Sequence, residues 1–376
     1  MLYSRVSDGG RRWYVFFSLW TVLFLLTCLA GCSRPDIRML WPAPPLTPRF
    51  EHIGLYRSEL DLQKKGARFP QLPKAVSEKS LLIAPYGIAV DAAGRVVVAD
   101  IAERNLRRID FDVSRVELLT GIGTLDLPSA LEFDSRNQLY IVDGAKDRIT
   151  ILGPDMSWKA RFSTAEVLDR PVALAIDDSL QRIYISDGEG DRVGVFAVTG
   201  EFLFSFGEPG NRDGQFNKPQ GLAVDDQNRL FVADMLNARI QVFDAEGRFL
   251  YAFGQRGHQP WNFAWPKDLA FDGVGNLYVL DQYKAVITMW RPDGYPILAL
   301  GELPTRHELG FASPVGIAID GKDRIYIADR LNRRISIWQA LNADYLERHP
   351  ITAEEERALM RYLEDLAEKR AGRRPR

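Results

Sequence analysis

Between Lys218 and Gly254 apolar and polar positions alternate in four short runs: GLAVD (221–225), RLFVAD (229–234), RIQVFD (239–244) and RFLYAFG (248–254). β-branched and aromatic residues fill the runs, and Asp, Asn and Gly separate them. The stretch therefore predicts four strands of an antiparallel meander. One such sheet cannot bury both of its faces, so it requires neighbours of its own kind.

The neighbours are present in the chain. The first run recurs as GIAVD (87–91), ALEFD (130–134), ALAID (173–177), DLAFD (268–272) and GIAID (316–320), each preceded by a proline: Pro85, Pro128, Pro171, Pro219, Pro266 and Pro314. The second recurs as RVVVAD (95–100), QLYIVD (138–143), RIYISD (182–187), NLYVLD (276–281) and RIYIAD (324–329). Six units of four strands at this spacing predict an all-β fold, a six-bladed β-propeller of four-stranded antiparallel blades.

The pattern P-x-G-[IL]-A-[VI]-D, then [IL]-[YF]-[VI]-A-D, then R-I-x-[VI]-[FW], resembles the NHL repeat over roughly residues 49–340. That resemblance implies the same six-bladed ring. A fold does not by itself name a function.

Both ends of the repeat array bear on closure. FEHIGLY (50–56) is strand-like but precedes the first unit, while the last unit supplies only three strands before the pattern stops after Trp338. The expectation is that residues 50–56 form the outer strand of blade six and remove an open edge. Residues 58–80 are polar and read as a long connection into blade one. Thr352 to Glu355 forms a capping-box pattern, and Leu359, Leu363 and Leu366 share one face, so a short C-terminal helix is expected, packed on the propeller or docking a partner. The domains so drawn are 1–31, 32–49, 50–340 and 341–376.

The N-terminus has another character. Arg11 and Arg12 precede an apolar run from Trp13 to Leu26, and Leu29-Ala30-Gly31-Cys32 follows. This has the parts of a signal peptide over residues 1–31. Its ending resembles the bacterial lipobox, which implies lipid attachment at Cys32 and membrane contact through that lipid. Ser33 after the cysteine resembles the outer-membrane sorting choice of lipoproteins. Residues 32–49 hold five prolines and read as a semi-rigid tether. WPAPPLTPRF within it resembles the tether of bacterial lipidated NHL propellers, whose genes often sit beside those of multihaem c-type cytochromes. The resemblance implies a cytochrome assembly as partner.

Charge and cysteine content then narrow the function. The net charge of −2 becomes −4 when residues 1–31, with three Arg and one Asp, are removed. Such a surface, exported, argues against nucleic-acid binding. Of the two cysteines, Cys28 leaves with the signal and Cys32 takes the lipid, so no disulfide, haem motif or cysteine metal cluster remains. Neither a cofactor nor a metal site is expected. The His258 and His307 pair lacks a third ligand for a lyase-like metal, and no hydrolase or phosphate-loop motif occurs, so no catalytic residue is assigned.

Six internal copies separate folding residues from the rest. The aspartates ending the second strands (Asp100, Asp143, Asp187, Asp234, Asp281, Asp329) recur in every unit, with Arg148, Arg192, Arg239 and Arg334 five residues on in four of them. They are read as turn-closing structural acids. The apolar residue three before each proline (Leu82, Leu125, Leu168, Phe216, Phe263, Phe311) reads as a wedge between blades. Function is expected where the repeat is broken, and the breaks gather around blade five. Trp261 and Trp265 flank the wedge Phe263; Lys267 and Asp268 replace a Gln-Gly or Val-Gly pair; Val286 stands where Arg is found elsewhere. Tyr283, Lys284, Arg306 and His307 lie in nearby loops. Trp, Tyr and Arg dominate binding hot spots. Trp261, Trp265, Lys267, Tyr283 and Arg306 are accordingly the candidate face for a protein partner. The alternatives are a metal-dependent propeller enzyme, lyase- or lactonase-like, and a cell-wall or glycan-binding module.

Overall fold

In the computed structural model, which describes residues 38–42, 46–47, 49–58, 61, 82–301 and 310–371, each repeat forms one antiparallel sheet. The inner strands are Pro85–Val90, Pro128–Phe133, Pro171–Asp177, Pro219–Val224, Pro266–Phe271 and Pro314–Ile319. They line a central channel. The chain is a six-bladed propeller.

Position in the blade explains the composition of each strand. The second strands lie between neighbouring sheets, and every residue of Val96–Asp100, Leu139–Asp143, Leu230–Asp234 and Leu277–Asp281 is buried. Such strands need apolar residues on both faces, hence the near-continuous Val, Ile and Leu. Outer strands face water on one side and alternate, as Trp158–Ser163 does. The turn between first and second strands demands one left-handed residue in every blade. Gly94, Asn137, Gln181, Asn228, Gly275 and Asp323 take it, with φ between 54° and 86°. Gly and Asn suit that conformation, which is why they punctuate the repeat.

The wedge residues fill the seams between blades. Leu82, Phe216, Phe263 and Phe311 are 0 % exposed. At the channel wall the seams are tighter still. A Cβ on Gly316 would lie 2.4 Å from the Tyr86 carbonyl oxygen of the next blade. This close approach explains the Gly in the repeat pattern.

Closure takes the expected form and adds to it. Phe50–Tyr56 pairs antiparallel with Arg334–Ala340 as the outer strand of blade six. A further strand, Met39–Trp41, pairs outside it, giving the order 39–41, 50–56, 334–340, 324–329, 314–319. The tether expectation therefore fails for residues 38–41, which are docked on the ring. Arg38 explains why: it is 2 % exposed, pairs with Glu51 at 2.8 Å and donates to the carbonyls of His349 and Pro350. Trp41 donates its indole N–H to the Ala299 carbonyl of blade five at 2.8 Å. The proline content of the segment hid these anchors.

The C-terminal segment forms two helices, Ala343–Arg348 and Ala353–Ala371, where one was expected. Asn342 caps the first through the Tyr345 N–H. Thr352 and Glu355 form the capping box of the second, each bonding the other's backbone N–H. Leu359 is 1 % exposed. No helix among the described residues is long and apolar enough to cross a membrane. Residues 1–37, with the signal and Cys32, lie outside the described residues, as do Arg306 and His307.

Candidate functional site

The six repeated aspartates are 0 % exposed. Each accepts backbone N–H bonds from the loop entering its blade: Asp100 from Ile83 and Ala84, Asp187 from Asp169 and Arg170, Asp329 from Ala312 and Ser313. Four of them also pair with the arginine five residues on, at 2.9 to 3.2 Å for Asp143, Asp187 and Asp329, and at 2.8 Å for Asp234. Three of the arginines continue to a carbonyl of the entering loop, as Arg239 does at Arg212 and Gln215, while Arg192 reaches the Asp169 carboxylate. These bonds hold the entering loop to the blade.

Blade five replaces the arginine by Val286, and the structure shows how it compensates. Lys284 donates to the carbonyls of Gln259 (2.6 Å) and Asn262 (2.8 Å), bracing the entering loop from two residues earlier. Burial lowers the Lys284 pKa, with the Asp281 carboxylate opposing that shift. Val286 and Lys284 are thus a local exchange of one brace for another.

The aromatic residues of this loop point outward. Trp261 is 50 % exposed, Trp265 39 % and Tyr283 62 %. The Trp265 and Tyr283 rings meet with centroids 5.1 Å apart. Phe263 between the two tryptophans is buried against Trp290, centroids 5.3 Å apart. The alternation is that of an extended loop: the middle residue enters the seam and its flanks face solvent. Lys267 turns elsewhere. Its ammonium bonds the Gln220 side chain and lies 5.4 Å from the Tyr86 ring centroid, at the channel mouth. The structure therefore brings Trp265 and Tyr283 together and leaves Lys267 on the channel side.

The channel holds the residues that the repeat pattern concealed. Glu132 occupies an inner-strand position where the other five blades carry Ala89, Ala175, Ala223, Ala270 and Ala318. Asp268 occupies another where the rest have Gly87, Ala130, Ala173, Gly221 and Gly316. Asp268 is fixed, accepting from the Leu269 and Ile317 backbone N–H groups at 3.0 Å. Burial raises its pKa to about 6, against the opposing effect of those bonds and of Lys267. Glu132 has no hydrogen-bond partner among the described residues, and burial, with the Asp268 and Asp178 carboxylates, pushes its pKa up to about 8. The residue is exposed to the water of the lumen, which weakens the desolvation behind that upward shift. The signal for Glu132 was ALEFD itself, one acid at a position held by alanine in the other five blades.

The comparisons with known proteins agree with this architecture. The NHL repeat model matches residues 216–243. The chain is a six-bladed propeller carrying an NHL repeat. No curated protein matches the sequence. Solved structures with the same fold include a gluconolactonase from Xanthomonas campestris, at 15 % identity and TM-score 0.55, covering 81 % of this chain and 95 % of that one. A virginiamycin B lyase from Staphylococcus aureus shares 15 % identity at TM-score 0.52, covering 69 % and 96 %. Hydrazine synthase from Kuenenia stuttgartiensis shares 17 % at 0.53, covering 77 % and 86 %. At such identities the likeness is one of fold.

A metal of the kind implied for lyase- or lactonase-like propellers finds few donors on the axis. Among the described residues no group of three or more His, Cys, Asp or Glu is placed to hold an ion. His258 is exposed in the blade-five loop, away from the inner strands. Glu132 and Asp268 fall short of the three protein ligands of a catalytic site, and the Asp268 oxygens already accept two backbone bonds.

Proposed function

We propose that this protein is a lipid-anchored extracytoplasmic scaffold that binds a protein partner on the outward face of blade five. The observation that carries the reading is the exposed cluster of Trp265 and Tyr283, with Trp261 exposed on the same braced loop. Large aromatic side chains with one polar atom each lose little conformational entropy on binding, and they anchor protein interfaces. Nothing in the blade requires them, since Phe263 already fills the seam. Arg306, expected on the same face, lies outside the described residues, and Lys267 lies on the channel side, apart from the cluster. The anchor is the lipid on Cys32, the location the outer membrane, and the partner class a multihaem cytochrome assembly, in keeping with the resemblance of the tether. The alternative of a metal-dependent propeller enzyme has less support, because among the described residues the axial donors do not complete a metal site.

Two measurements test this. Metabolic labelling with a palmitate analogue should mark the wild-type chain and not Cys32→Ala; label retained on the variant contradicts the anchor. For the face, the lipidated chain and its Trp261→Ala/Trp265→Ala variant are used side by side to capture membrane haem proteins. A haem protein retained by the wild type and bound about 30-fold more weakly by the variant, the loss of about 2 kcal/mol expected of a hot spot, supports the reading. Equal capture by both removes the face. Retention on cell-wall glycan that depends on the same tryptophans would replace the protein partner with a sugar.

A further inference from the structure

The loops entering each blade and the loops leaving its second strand share one face of the ring, and their charges are unevenly placed. On blades two and three they carry six acids, Asp126, Asp147, Glu166, Asp169, Glu189 and Asp191, against Lys146 and Arg170. On blades five and six the described loops carry Arg256, Lys284, Arg330 and Arg333 and no acid. Lys284 offsets the buried Asp281, which lacks the usual arginine, while Arg256, Arg330 and Arg333 are exposed. The rest of the loop entering blade six, 302–309 with Glu302, Arg306 and Glu308, lies outside the described residues. Blades one and four are balanced: Glu103 stands beside Arg104, and Glu208 and Asp213 stand against Arg212 and Lys218.

The basic side is also the apolar one. Leu331 is 61 % exposed, in the blade-six loop that corresponds to the Tyr283 loop of blade five. Ser313 joins these two loops. Its hydroxyl accepts from the Gln282 side chain and its carbonyl from the Arg330 N–H, both at 3.0 Å. Tyr283 and Leu331 thus stand on adjoining loops with Arg330 and Arg333. On the acidic side the corresponding loops are Gly144-Ala145-Lys146-Asp147 and Gly188-Glu189-Gly190-Asp191, built on small residues with no large apolar side chain.

We propose that this face seats a second copy of the same chain, the basic aromatic side of each copy resting on the acidic side of the other. Successive blades are neighbours around the ring, so blades two and three lie opposite blades five and six. A two-fold axis in the plane of contact, along the diagonal through blades one and four, sets blade five on blade three and blade six on blade two of the second copy. The same rotation sets blades one and four on themselves, where the charges balance. One operation therefore satisfies both halves, as an isologous pair requires. Opposite charge fixes the orientation, and the buried aromatic side chains supply most of the affinity. The inference goes beyond the partner-binding reading. It shares the exposed aromatics with that reading and needs neither the lipid anchor nor the cytochrome.

Sedimentation equilibrium of the full chain in non-ionic detergent, from about 1 μM to about 100 μM, tests it. A reversible monomer–dimer equilibrium is expected, with a Kd that rises at least about tenfold between about 50 mM and about 500 mM salt. Arg256→Glu/Arg330→Glu and Glu166→Lys/Glu189→Lys should each melt like the wild type and dimerise at least about tenfold more weakly, because each sets like charges face to face. An equimolar mixture of the two variants should associate within about threefold of the wild type, since the reversed sides attract again. The proposal is overturned by a wild type that stays monomeric, by a dimer indifferent to salt, by undiminished association of either variant, or by a mixture that does not associate. A monomeric wild type leaves the partner-binding reading standing. A dimer found together with equal haem-protein capture by the wild type and Trp261→Ala/Trp265→Ala removes that reading alone.

Discussion

Asp329 and Glu132 are both acids on strands of the same ring, and they have opposite circumstances. Asp329 is 0 % exposed, accepts from two backbone N–H groups and pairs with Arg334, itself 0 % exposed. Glu132 opens on a lumen, with no hydrogen-bond partner among the described residues and two acids nearby. The first acid recurs in six blades and the second in one. Recurrence marks what each blade needs in order to fold, whereas a lone exception is free to serve the molecule as a whole. The same division separates Phe263, buried in a seam common to all blades, from Trp261 and Trp265 beside it.

Replacing an acid of the first kind should have the largest effect. Asp329→Ala leaves the Arg334 guanidinium and two N–H groups buried without their acceptor, a change that costs about 3–5 kcal/mol. Denaturant unfolding measures it, and a loss below about 1 kcal/mol would erase the distinction from Glu132. Gly316→Ala comes next. Its Cβ would meet the Tyr86 carbonyl oxygen at 2.4 Å, so the channel seam must open, at about 1–3 kcal/mol. Wild-type stability in this variant would mean that the inner strands do not close as tightly as the fold requires.

The smallest effect carries a sign. The Glu132 carboxyl binds its proton more tightly folded than unfolded, where glutamate titrates near 4.3. The folded chain therefore holds more protons through the window from about pH 4 to about pH 8, and stability contributed by this group falls as pH rises through it. Glu132→Gln removes that fall. The variant should match the wild type at about pH 4 and gain on it up to about pH 8, by a modest amount because lumen water screens the charge. A variant that instead loses stability with rising pH would give Glu132 a structural partner.

Much of the architecture was legible because one chain samples each blade position six times. Pro, Gly, Asp and the wedge residues each reappear in phase, and the spare strand at residues 50–56 announced the closure. The docking of Arg38–Trp41 was not legible. Its partners, Glu51 and the carbonyls of His349 and Pro350, are separated from it by up to 312 residues, and nothing local encodes such a meeting. At the candidate site the outward tryptophans could be read from their places beside the wedge. The exchange of Arg for Lys284 could not, since the brace comes from a different sequence offset. Glu132 was visible as a substitution, but only the closed ring turns one glutamate into an acid facing the axial lumen.

The central claim is that the exceptional residues of blade five are surface that the ring does not need. Denaturant unfolding of the Trp261→Ala/Trp265→Ala double variant tests it most directly. The two side chains are 50 % and 39 % exposed, and the seam is filled by Phe263, so the account predicts a loss of no more than about 1 kcal/mol. A loss of about 3–5 kcal/mol, the cost of truncating a core aromatic and equal to that expected for Asp329→Ala, would make the pair part of the core and contradict the account.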